Sequence, residues 1–241
     1  MDRLKNIISL EQKLRNNEEL SGYSLYKELE KIALENNFKN LEDYFCLKRD
    51  YLFSLWKPEV YHIHISEYAK TVEAALEEGK DGIYISYGEG IHAYHGNKEI
   101  DYELCENLRV RVVELNYSGG TIIGSGNDFS IIIIFPVMMS MCHNFIIENF
   151  EKILSKYLDN ITINNNDILM NGDKIAGSMT RDCKNGFIWA TQISFQDYTE
   201  YIKKICNKPQ FKKPSYVNSS ILTRDLLEKE VVAWLRKEDI D

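Results

Sequence analysis

The chain has 241 residues, 44% of them hydrophobic, which is enough for a substantial core and suits one domain with an appendage. A formal net charge of -8 and a pI near 5.3 argue against a general nucleic-acid or anionic-membrane surface. No apolar run approaches a membrane span, the first residues lack a signal-peptide apolar region, and five cysteines without a CxxC pair indicate neither a disulfide framework nor a zinc site, so the expected location is the cytoplasm.

In chain order, residues 2–56 carry apolar positions such as Leu25, Leu29, Ile32 and Ala33 at helical spacing and predict two or three helices. Basic and acidic side chains balance there, which is poor for phosphate binding; the stretch reads as a helical appendage, residues 1–56, without assignable chemistry. After Pro58, Val60, Ile63 and Ile65 alternate with polar residues and predict a strand. His62 and His64 share one face of it, but no third ligand stands at metal-binding spacing. Residues 67–78 fit an amphipathic helix stopped by Gly79, and residues 83–87 a strand leading into the loop Gly88-Glu89-Gly90. A short helix over 102–106 and a strand over 110–113 come next.

Residues 116–130 then bring Ser118-Gly119-Gly120-Thr121 and Gly126-Asn127-Asp128-Phe129-Ser130, glycine-bearing stretches that read as turns. Residues 130–135 are apolar on both faces and predict a central strand covered on both sides, closed by Pro136. A helix over 137–158, the longest expected, carries a wide apolar stripe with His143 in a structural role. Residues 187–194 predict a strand, 198–206 a short helix and 208–214 a linker, with Thr223 as N-cap of a last helix.

Between these lies the stretch that concentrates chemistry, residues 166–181. Ile168, Leu169 and Met170 have strand character, Asn171-Gly172-Asp173 is a hairpin turn, and Lys174 opens the return strand. A hairpin fixes the sidedness of its residues, so Asp167, Asn166 and Lys174 can surround one pocket as carboxylate, carboxamide and ammonium. Gly177-Ser178 lets backbone come close to a ligand, and Arg181 adds a fork-shaped anion donor.

The order Asn-Asp-hydrophobic, short turn, Lys-hydrophobic-small-Gly-Ser, then Arg resembles the lipoate-protein and biotin-protein ligase family, and most the lipoate-protein ligase branch. The resemblance implies an α+β fold of the class II aminoacyl-tRNA/biotin synthetase type, with a mixed, mainly antiparallel sheet flanked by helices. It implies a catalytic domain over residues 57–207, followed by a linker and terminal helix over 208–241. It also implies a two-step reaction: lipoate or a related medium-chain acid attacks the α-phosphate of ATP, and a lysine of an acceptor protein domain then displaces AMP. In this reading Lys174 contacts the acyl carbonyl and the α-phosphate, and Asp167 orients the acceptor amine or holds Mg²⁺. Asn166, Ser118, Gly119, Gly120, Thr121, Gly177, Ser178 and Arg181 bind the adenylate.

Three positions depart from the family pattern: its arginine before the glycine pair falls at Asn116, a histidine after that pair at Gly124, and a histidine on the strand after the hairpin at Trp189. These departures keep other readings open, namely a biotin-protein ligase, an octanoyl or lipoyl transferase using Lys174 and Cys206, and a non-catalytic ligand-binding domain of the same fold.

Overall fold

A computed structural model describes residues 2–17, 22–95, 100–114, 121–136, 139, 143–206 and 214–239. The chain divides into two compact units, Met1–Trp56 and Lys57–Asp241.

The first unit holds three helices, α1 (Asp2–Arg15), α2 (Gly22–Glu35) and α3 (Leu41–Leu55). Asn40 caps α3 by accepting the Asp43 N–H at 2.8 Å. Ile7, Leu29, Ala33, Tyr44 and Phe45 form the core. Into it the unit also takes a charge cluster: Lys48 Nζ lies 3.0 Å from both Glu11 carboxylate oxygens, which further accept from Tyr44 Oη at 2.6 Å and Arg15 Nε at 2.8 Å.

The second unit is built on a seven-stranded sheet in the order β1-β2-β6-β10-β9-β8-β7. Its strands are β1 (Val60–His64), β2 (Gly82–Tyr87), β6 (Phe129–Phe135), β7 (Ile161–Asn164), β8 (Asp167–Met170), β9 (Asp173–Cys183) and β10 (Gly186–Ile193). Only β1 and β2 pair in parallel; every other neighbour is antiparallel. The apolar run in β6 has the expected consequence: all seven residues are buried between β2 and β10.

Each face of this sheet has its own cover. Helix α4 (Tyr68–Glu78), ended by Gly79 at φ 69, packs Tyr68, Val72 and Ala75 onto Tyr84, Ile132, Ile134 and Ile188. On the opposite face lie α6 (His143–Leu154) and α8 (Arg224–Arg236), where Phe150 meets Trp189 and Trp234 at ring separations of 4.8 and 6.1 Å. Thr223 caps α8 through the Leu226 N–H at 3.2 Å. The helix expected over 137–158 is therefore shorter. Met139 N–H closes a turn onto Pro136 O before it, the remaining positions of 137–142 lie outside the described residues, and after Leu154 the chain leaves through turns.

A second sheet, β4-β3-β5, comprises β3 (Ile91–His95), β4 (Val110–Glu114) and β5 (Thr121–Ser125). Ala93, Val110 and Ile123 pack it against α5 (Tyr102–Asn107) and α7 (Thr199–Ile205). Strands β3 and β7 were not anticipated from sequence. Among the described residues no helix is long and apolar enough to cross a membrane.

Candidate functional site

The hairpin of β8 and β9 turns through Asn171 and Gly172, at φ 54 and 85, a left-handed pair that Asn-Gly adopts more readily than any other dipeptide. Its register then slips. Leu169 faces Lys174 and Ile168 faces Ala176, so Ile175 is an extra residue on β9. Such a bulge re-aims the side chains beside it. The result is an ion pair across the hairpin, Lys174 Nζ to Asp167 Oδ1 at 2.8 Å, with the two side chains 35% and 24% exposed.

Gly177, opposite Asp167, makes room for that pair: a Cβ there would stand 3.0 Å from Lys174 Nζ and 3.6 Å from Asp167 Oδ1. Its φ is not positive, so the backbone does not demand glycine; the ammonium above it does. Ser178 closes the base of the hairpin, donating its N–H at 2.6 Å and its hydroxyl at 3.0 Å to the Asn166 carbonyl.

These residues wall a cavity of about 350 Å³ between the two sheets. Asn166, Asp167, Lys174, Gly177 and Ser178 form its hairpin side; Ile122 and Ile123 come from β5, and Tyr198, Thr199 and Ile202 from the α7 end. Pro214 and Ser215 add a wall that the sequence presented only as the end of a linker. The Ser215 N–H binds Lys174 O at 2.7 Å and the Val217 N–H binds Ser194 O at 2.8 Å, so this segment continues the sheet where β10 ends. A polar rim over apolar walls is the composition of a site for an amphiphilic small molecule.

Several contributors were missed in the sequence. Gln192 sits opposite Gly177 on β10, lines the cavity and is buried. Its Nε2 donates to Ile123 O at 3.0 Å and its Oε1 accepts from Ser130 Oγ at 2.9 Å. Tyr198 donates to Ser125 Oγ at 2.8 Å. Asp128, from the glycine-bearing stretch, proves to be a buried brace: its carboxylate accepts the Ser125 and Phe195 N–H groups, each at 2.7 Å. Burial pushes its pKa up against the opposing pull of those bonds. The signal for Gln192 was a polar residue at an inward position of an apolar strand; reading it requires the strand register.

Of the residues expected from sequence, Asn166, Asp167, Lys174, Gly177 and Ser178 come together on the cavity wall. Arg181 does not line it; it is exposed farther along β9, opposite Ile188. Ser118, Gly119, Gly120 and Asn116 lie outside the described residues, and of Thr121 only the backbone, at the start of β5, is described.

The other two departures acquire physical meaning. Trp189 is fully buried against Phe150, on the sheet face away from the cavity, so no site contact is lost through the side chain at this position. At Gly124, a Cβ would lie 2.0 Å from Gln192 Nε2, so the carboxamide already occupies the space a side chain would need.

Cys206 ends α7 outside the cavity lining, and burial, with Cys105 nearby, raises its thiol pKa, the reverse of what a nucleophile needs. His62 pairs with Glu228 at 2.6 Å and His64 with Ser66 Oγ at 2.8 Å. His143 is held near the site: burial lowers its pKa while a hydrogen bond with the Asn166 side chain acts in the opposite direction. Among the described residues no group of three or more His, Cys, Asp or Glu could hold a metal ion.

No family profile matches this sequence, and no curated protein matches it. Solved structures do. P. falciparum LipL1 in complex with lipoate superposes with a TM-score of 0.61 at 13% identity, over 76% of this chain and 65% of its own. The bipartite lipoate protein ligase of Thermoplasma acidophilum, described together with its E2 lipoyl domain, gives 0.60 at 11% identity over 77% and 86%. Lipoate-protein ligase A bound with ATP gives 0.55 at 12% identity over 77% and 88%. Identity this low establishes the fold. The chain has the α+β architecture of the lipoate-protein ligases, as residues 166–181 led us to expect.

Proposed function

We propose that this chain is an ATP-dependent acyl-protein ligase, which activates lipoate or a related medium-chain acid as its acyl-adenylate and passes the acyl group to a lysine of an acceptor protein domain. A fold alone does not assign chemistry. The observation that carries the reading is Lys174, paired with Asp167 at 2.8 Å above a glycine, on the wall of a cavity with apolar sides. Similar folds are recorded in complex with lipoate, with ATP, and in a system with a lipoyl domain.

In the first step a carboxylate oxygen of the acid forms a bond to the α-phosphorus of ATP, and the bond to pyrophosphate breaks. In the second the acceptor amine bonds to the acyl carbon, AMP leaves with the electron pair of the broken C–O bond, and the amine's proton is released. Neither step needs a protein nucleophile, so the protein's contribution is positioning and charge stabilisation. Lys174 serves both steps by sitting between the acyl carbonyl and the α-phosphate. Asp167 aims Lys174 in the first and orients the incoming amine in the second. The cavity's mixed walls take the acyl chain on the Ile122 and Ile202 side. Asn166, held in place through its carbonyl by Ser178, and the backbone of Ser118, Gly119, Gly120 and Thr121 supply neutral donors to the adenylate.

Mg²⁺ in this reading would arrive on the nucleotide's phosphates, where Asp167 and Asp197, the two carboxylates lining the cavity among the described residues, could meet it. Arg181 acts beyond the cavity, as an anion contact on the nucleotide side. The transferase alternative loses ground through the placement and raised pKa of Cys206.

ATP-pyrophosphate exchange across lipoate, octanoate and biotin tests the assignment without an acceptor protein. We expect exchange with lipoate or octanoate ahead of biotin. Exchange with none of them would remove the ligase reading, and exchange with biotin alone would make the chain a biotin-protein ligase.

A further inference from the structure

Gln192 is a polar side chain in a place that apolar residues dominate. On the β10 face that looks toward the cavity it follows Ile188 and Ala190, and it is only 5% exposed. Two bonds fix its orientation. Ile123 O is a carbonyl and can only accept, so the group 3.0 Å from it must be the NH₂, which leaves the amide oxygen to Ser130 Oγ. The NH₂ carries a second hydrogen, and a buried donor without a partner is costly unless a ligand takes it.

The surroundings make room for this amide. Gly124 is not at positive φ, yet any side chain there would collide with the carboxamide, 2.0 Å from Nε2 and 2.6 Å from Cδ. On the other side Gly177, in register with Gln192, leaves space for the Lys174 ammonium. Two glycines that the backbone does not require therefore clear the way for two donors that share one cavity.

We propose that Gln192 is a ligand-contacting, specificity-determining residue: a neutral hydrogen-bond donor that acts beside Lys174 on an oxygen of the bound acid's carboxyl group. The identity of the ligand as a carboxylic acid rests on the ligase reading; the donor's orientation and its cleared space do not. Because its position is fixed before the ligand arrives, this donor favours a carboxyl head over a less polar one, while the apolar walls accept the chain.

The test is calorimetric binding of octanoate, lipoate and octan-1-ol to the full chain without ATP. Gln192→Met, an apolar residue of similar length, is expected to weaken both acids by roughly tenfold to a hundredfold, the range for a hydrogen bond to a charged group, and octan-1-ol by less than about threefold. Gly124→Ala, which displaces the amide without touching its chemistry, should reproduce the same selective loss. Should Gln192→Met fail to fold, Gln192→Glu carries the test, since it keeps an acceptor for Ser130 but loses the donor.

Equal weakening of acids and alcohol would reduce Gln192 to a structural brace, and unchanged acid affinity in the variants, or no binding of either acid to the wild type, would overturn the proposal. Selective loss of acid binding in a protein that shows no pyrophosphate exchange would sink the ligase reading and leave this one standing. Exchange in the wild type with undiminished acid binding by Gln192→Met would do the reverse.

Discussion

Each unit of the chain contains a lysine bound to a carboxylate, and the two pairs are built in opposite ways. Lys48 and Glu11 are 2% and 0% exposed, and Glu11 is further held by Tyr44 and Arg15, while the Lys48 ammonium stands 4.7 Å from the Phe45 ring centre. Lys174 and Asp167 are partly open to a cavity. A buried charge is tolerated only when its partners are saturated, and a saturated charge has nothing left to offer a ligand. A half-exposed ammonium contributes little to folding, about 1 kcal/mol or less, and stays free to meet a developing negative charge. Residue type alone therefore does not mark a site; the degree of burial separates the brace from the tool.

Replacing each lysine should break this symmetry. Lys174→Met is expected to lower pyrophosphate exchange by about a hundredfold to a thousandfold, the cost of one charge-stabilising donor, with the thermal midpoint nearly unchanged. A variant that kept its rate would strip the hairpin of its assigned role. Lys48→Met should do the opposite, destabilising the helical unit by about 3–5 kcal/mol because Glu11 would keep a buried, under-compensated charge. Urea unfolding followed by circular dichroism measures this, and a loss below about 1 kcal/mol would mean that the cluster is not a brace.

Acid should separate the units as well. Burial works to raise the Glu11 pKa, but the Lys48 charge and the bonds from Tyr44, Lys48 and Arg15 outweigh it and hold the carboxyl below its ordinary 4.5. A depressed folded-state value means that this stabilisation is fully present above 4.5 and is lost as pH falls through the folded pKa. Thermal midpoints of the wild type should therefore decline below that pH more steeply than those of Glu11→Gln; parallel profiles would contradict it. The smallest expected effect belongs to Gly177→Ala. Its Cβ would press on the mobile end of Lys174, so exchange should fall by roughly tenfold, well short of the loss of the donor itself. A rate equal to wild type would show that the ammonium has room to spare.

Much of the second unit was legible because its strongest elements are locally encoded. Five consecutive apolar residues, Ile131 to Phe135, can only be a covered strand, and Asn171-Gly172 between apolar strands can hardly be anything but a hairpin. Strands β3 and β7 escaped because they are short: Ile91-His92-Ala93-Tyr94-His95 gains its order from β4 and β5 farther along the chain, and Ile161-Thr162-Ile163-Asn164 is a four-residue edge strand ordered by its hairpin with β8.

The site divides the same way. Lys174 and Asp167 lie on one hairpin and could be placed together from spacing. Gln192, Tyr198 and Ser215 reach the cavity only through the register of β10 on β9 and the return of the chain past Lys174. Trp189 shows the converse. Compared by position with a family pattern it reads as a lost site residue, whereas strand alternation puts it in the core beside Phe150.

The claim that Lys174 works on a freely bound adenylate, with no covalent intermediate on the protein, is tested most directly by intact-mass spectrometry combined with nucleotide analysis. The chain is mixed with ATP, Mg²⁺ and lipoate or octanoate in the absence of any acceptor. We expect pyrophosphate release, about one equivalent of acyl-AMP retained on the protein, and an unchanged protein mass after denaturation. An acyl adduct on Cys206, formed from an acyl-carrier donor without ATP, would contradict the account and replace the ligase with a transferase.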